Sequence, residues 1–119
     1  MLKSRWQDIY AHLKSKGFDV YSPAQKTDEC DKPYVVIKDN GILDVAGVSS
    51  RQHLFELLAY TPKDNYSEIE PFVDSLESCM EELYPMIRPL RERSPAYYDD
   101  TVKAHMVSLS YVNYRKYRR

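Results

Sequence analysis

Three glycines in 119 residues, at positions 17, 41 and 47, leave the chain without the loops that small domains use to hold phosphates. Neither G-x-G-x-x-G nor G-x-x-x-x-G-K can be written with them, so dinucleotide and P-loop sites in their standard forms are excluded. Cysteine is almost as scarce. Cys30 and Cys79 are far apart and neither has a second cysteine nearby, which reads as two reduced thiols rather than a disulfide or a zinc ribbon. The three histidines, His12, His53 and His105, fall in three different segments, with no H-x-x-x-H pair and no adjacent cysteine. A composite zinc site would have to be built in three dimensions, and three ordinary surface or half-buried histidines is the preferred reading. No cofactor is expected.

Long apolar runs are missing too. Nothing approaches the roughly 20 residues that span a bilayer. The opening Met1-Leu2-Lys3-Ser4-Arg5-Trp6 lacks the apolar core of a signal peptide. The expectation is a chain made and kept in a cytosol, with no membrane partner. A net charge of −1 provides no global basic field for nucleic acid. Catalytic signatures are absent as well. No G-x-S-x-G surrounds a serine, and "TDECD" at 27–31 lacks the spacing and glycine of a calcium loop. Asp99-Asp100 and Glu81-Glu82 are sequence neighbours, whose side chains diverge on a strand or helix instead of converging on one substrate.

What is present is the composition of a folded domain: 43% hydrophobic and 29% charged residues. A length of 119 residues suits one domain, 1–119, with a core that needs no staples. Leu2, Trp6, Ile9, Tyr10 and Leu13 recur at helical spacing over 2–16, with Gly17 placed as the left-handed closing residue. A polar loop, 22–32, follows. "PYVVIKD" at 33–39 is a β-branched run between Pro33 and an Asp-Asn-Gly turn, and reads as a strand. Residues 51–61 permit a helix by propensity. Pro62 and the turn after it stop the segment early, which favours a strand. Ile69, Phe72, Val73, Leu76, Met80 and Leu83 line one face of a helix over 67–84, and Ser67 with Glu70 has capping-box spacing. Residues 85–101, with Pro85, Pro89 and Pro95, read as an irregular connection. Alternation over 102–114 gives a last, half-buried strand. The expected fold is therefore α+β, a two-layer arrangement of a largely antiparallel sheet packed against two helices.

Candidate functional residues are surface residues. Ile42, Leu43 and Val45 lie between Gly41 and Gly47 in a turn region, with Val48 just after, which gives either an exposed hairpin or a tucked core strand. Eleven tyrosines are unusual. Core filling explains most of them, but Tyr97, Tyr98, Tyr114 and Tyr117 fall in segments that a small core does not cover, and tyrosine is enriched at protein interfaces. Residues 64–82 carry seven carboxylates and no Lys or Arg. The strand from Val102 is expected to end near Tyr114. Arg115, Lys116, Arg118 and Arg119 beyond it are either a frayed terminus or partners for an acidic face such as Glu70, Glu77 and Glu81 of another subunit.

Three stretches carry a resemblance over most of the chain: "RWQDIYAHLKSKGFDVYSPAQKTDECDKPYVVIKDNG", "LLAYTPKDNYSEIEPFVDSLESCMEELYPMIRP" and "SPAYYDDTVKAHMVSLSYVNYRK". Together they resemble the tail terminator (tail completion) proteins of tailed bacteriophages of Gram-positive hosts. Residues 41–50 match least. The resemblance implies a non-enzymatic virion protein made in the host cytoplasm. It forms a ring, commonly a homohexamer, on the head-proximal end of the tail tube. Its partners are then itself, the tail tube protein and a head-side connector or stopper protein, with DNA passing through the ring without sequence-specific binding. Another neck protein, or a small nucleic-acid-binding regulator using the basic end, are the alternative readings.

Overall fold

The structure is a computed structural model that describes residues 6–25, 28–44, 50–84 and 87–116. Helix α1 is Trp6–Ser15 and α2 is Ile69–Met80. The strands are β1 Val20–Tyr21, β2 Tyr34–Asp44, β3 Ser50–Pro62, β4 Arg88–Arg93, β5 Tyr97–Asp99 and β6 Ala104–Lys116. They form one six-stranded sheet in the order β1-β2-β3-β6-β4, with β5 beside β6 on the same side as β4. Among the described strands, β1–β2 is the one parallel pair. The fold is α+β, with both helices on one face of a mostly antiparallel sheet.

Helix α1 buries Ile9 and Leu13. Its end follows from Gly17. The Phe18 amide bonds the Leu13 carbonyl and the Gly17 amide bonds that of Lys14, both at 3.1 Å, with Gly17 at φ +93°. That satisfies two orphan carbonyls and turns the chain into β1. No atom lies within 4 Å of a Cβ built on Gly17, so a substitution meets only the conformational penalty. Gly17→Ala is expected to cost about 1–2 kcal/mol, read as a lower urea midpoint with an unchanged slope. An unshifted midpoint would mean that another turn closes the helix equally well.

Helix α2 begins differently from the capping-box expectation. A 3₁₀ turn, Tyr66–Glu68, runs straight into it, and Glu68 at the cap position makes no side-chain cap bond. The Ile69 amide bonds the Tyr66 carbonyl, so the preceding turn already occupies a first-turn donor and Ser67 stands inside it. Pro71 fits because it lies in the first turn, where no intrahelical donor is lost. Ile69, Val73, Leu76 and Met80 are buried, and the 3₁₀ turn Glu81–Leu83 continues the face with Leu83.

The helices cover one end of the sheet, over Val35, Ile37, Phe55, Leu57, Ala59, Val107, Leu109 and Tyr111. The opposite face at that end is also covered. Cys30 from the polar loop, with its amide on the Val102 carbonyl at 2.8 Å, packs with Tyr34, Val36, Tyr60, Val102 and Ala104. Tyr34 and Tyr60 are cross-strand partners with stacked rings 4.8 Å apart.

Three sequence expectations need correction. Strand β2 does not end at Asp39 but runs on to Asp44. The ladder shifts between Asp39, opposite Phe55, and Gly41, opposite Leu54. Gly41 at φ +94° supplies the bulge, and the Asp39 carboxylate accepts its amide at 2.8 Å. Residues 85–101 are not wholly irregular, because they hold β4 and β5. Pro89 is tolerated since β4 is an outer strand, where a missing amide breaks no ladder. Strand β6 does not stop at Tyr114 but continues to Lys116, because β3 reaches back to Ser50 and offers a partner throughout. Arg115 and Lys116 therefore belong to the sheet.

Candidate assembly surfaces

The candidate residues separate into two groups at opposite ends of the sheet. At the far end, β2, β3 and β6 run on together past the helices. Cross-strand rows there read Ile42–His53–Asn113, Leu43–Gln52–Tyr114 and Asp44–Arg51–Arg115. Leu43, Tyr114, Arg115 and Lys116 are described through their backbone; Val45, Val48 and Tyr117 lie outside the described residues. Ile42 is 44% exposed. The bulge decides which face it takes, because one extra residue flips every later side chain to the opposite face. Beside Ile42 the row becomes polar and buried, with His53 and Asn113 both inside. His53 Nε2 sits 2.9 Å from an Asp39 carboxylate oxygen, and its ring lies against Phe55 at 4.3 Å.

At the near end, the β5–β6 hairpin presents Tyr97 and Tyr98, 52% and 48% exposed. The Asp99 carboxylate accepts the Thr101 amide at 2.9 Å and shapes the turn between the strands, which is the use the structure makes of the Asp99-Asp100 pair. Tyr98 is opposite His105 in register. The rings of Tyr98 and Tyr66 both meet that of His105 edge-on, at 5.5 and 4.9 Å. His105 is held in turn by the Lys63 carbonyl at 3.0 Å from Nε2. Three aromatic rings thus form one fixed, exposed cluster. Positions 105 and 114 are separated by about 30 Å along β6 at ~3.4 Å per residue, and the molecule measures 51 × 26 × 24 Å.

Between these ends, a cleft of ≈ 540 Å³ opens between α2 and β4, lined among others by Glu77, Glu81, Tyr84, Arg93 and Tyr111. Arg93 reaches across from β4 to bond Asp74, at 2.8 Å, and Glu77. The hydrogen bond to Asp74 holds the guanidinium pKa above its ordinary value. Burial likewise pushes the Tyr111 phenol up, so it stays protonated. The acidic face expected to partner basic residues of another subunit is thus partly occupied from within, at Glu77. Glu70 and Glu81 remain exposed.

Sequence reasoning missed Tyr66 and Tyr84, both more exposed than Tyr97 and Tyr98. Tyr84 lies under the Arg88 guanidinium, 5.5 Å from the ring centroid. The available signal was position: both stand outside the apolar stripe of α2. His12 is occupied by the Cys79 carbonyl at 2.8 Å. Among the described residues, no three His, Cys, Asp or Glu side chains gather into a group that could hold a metal. No helix among them is long and apolar enough to cross a membrane. No family model matches the chain, and no curated protein matches it.

Proposed function

We propose that this chain is a structural virion protein that closes the head-proximal end of a phage tail tube. Copies of it, six in the reading the resemblance carries, form a ring that stops tube polymerisation and offers a joining surface to the head-side connector or stopper. DNA passes through the lumen without base recognition. The observation that supports this most is the separation of the two candidate surfaces. A joint needs one surface for the tube and another for the head side, and this molecule carries an aromatic cluster at one end and a three-stranded extension at the other. Tyrosine-rich contacts suit that role, because they combine large apolar area with little conformational entropy to lose. Nothing in the role asks for catalysis.

Particles assembled without this chain are expected to show tails of irregular or excess length, separate from heads, in electron micrographs. Tails of normal length lying free of heads would move the chain to the head side of the joint. Normal tails joined to heads would overturn the proposal.

A further inference from the structure

Among the described residues, both margins of the sheet are covered at the near end and neither is covered at the far end. On one margin, β1 covers β2 at Val35 and Val36, and the Trp6 indole bonds the next carbonyl, that of Ile37, at 2.8 Å. Beyond the bulge, no strand among the described residues runs beside Ile42 to Asp44. On the other margin, β5 and β4 cover β6 from Ala104 to Val112. No strand among the described residues runs beside Tyr114 to Lys116. Neither open stretch contains proline, and the bulge that could twist the β2 margin away lies before Ile42. Two regular open margins at the same level of one sheet are a template for further pairing.

Charge says which margins meet. The β2 margin ends in Asp44, and the β6 margin carries Arg115 and Lys116. A two-fold contact between like margins would set Arg115 and Lys116 against themselves, or Asp44 against Asp44. Unlike margins meet with opposite charge. Direction agrees as well. Strands β2 and β6 are both antiparallel to β3, so they run the same way. Successive copies related by one repeated rotation can therefore pair these margins in parallel, which is a heterologous contact that closes into a ring.

We propose that residues 42–44 of one copy pair with residues 114–116 of the next, so that the sheet continues from subunit to subunit. This rests on the reading of the chain as a ring-forming tail protein and names the interface of that ring. In the resulting row, Asp44 of each copy lies beside Arg115 of its neighbour.

The test is a charge swap on the full-length chain, followed by sedimentation velocity and native mass spectrometry over a concentration series. The parent is expected to form a closed multimer of fixed size. Arg115→Glu and Asp44→Arg should each weaken association by about tenfold or more, since like charges then face each other across the contact. The double variant restores opposite charges and should recover the multimer. Amide exchange within 114–116 should be slower in the parent multimer than in Arg115→Glu, and circular dichroism checks that each variant is folded. Single variants that assemble like the parent, or a folded double variant that does not recover, would overturn the edge pairing while leaving a ring built through another contact. A parent that stays monomeric throughout would also overturn it. Capping is judged separately, on tubes.

Discussion

Leu57→Ala is expected to cost about 2–5 kcal/mol. Leu57 is fully buried at the middle of β3, the strand that pairs with both β2 and β6. Its cross-strand partners are Ile37 and Leu109, both buried on the face that α1 and α2 cover. Three strands and two helices therefore border the resulting cavity. A sheet centre held by ladders on both sides relaxes little, so the cavity remains and the cost sits above the transfer term alone. A domain of this size has about 5–15 kcal/mol to lose, and the melting temperature should fall by roughly 10–20 °C. Leu58→Ala is the internal comparison, because Leu58 points to the opposite face and is only half-buried. Equal losses at the two positions would contradict the assignment of faces along β3.

Trp6→Ala should cost about 3 kcal/mol, near the lower end for a large aromatic since Trp6 is half-buried. Two separate contributions are involved. The ring stacks on Tyr10 at 5.3 Å and packs against the main core. The indole N–H donates to the Ile37 carbonyl, pinning the start of α1 to the margin of β2. Trp6→Phe keeps most of the ring packing while removing the hydrogen bond, and should cost about 1–2 kcal/mol. Chemical denaturation of the pair separates the terms. If phenylalanine loses as much as alanine, the hydrogen bond rather than the packing anchors the helix.

Much of the fold was legible because single residues settled it. Gly17 marked the end of α1, Pro62 the early end of β3, and the apolar stripe from Ile69 to Leu83 gave α2 its buried face. Errors arose where a local signal meant something different in the sheet. Gly41 after Asp39-Asn40 has the chemistry of a turn, yet the ladder resumes past it as a bulge, which is visible only from the partner strand. Pro89 and Pro95 suggested an irregular connection, because a sequence does not say which strand will be outermost. Strand β1 is two residues long and pairs in parallel, with no periodicity to read. The candidate surfaces followed the same pattern. The exposure of Tyr97 and Tyr98 was anticipated, whereas that of Ile42 was left open between an exposed hairpin and a tucked core strand. The aromatic cluster around His105 was not, because Tyr66, Tyr98 and His105 come from three segments. Nor was Arg93's hold on Asp74 and Glu77, which depends on β4.

The central claim is that this chain ends tube growth, and it is tested most directly by the length of tubes grown in its presence. Purified tail tube protein would be polymerised with and without the full-length chain, and lengths measured by negative-stain electron microscopy. The expected result is tubes that stop lengthening as the chain is added, each carrying a ring of extra density at one end and none along its side. Tubes that grow to the same length distribution at every concentration, with bare ends, would contradict the account.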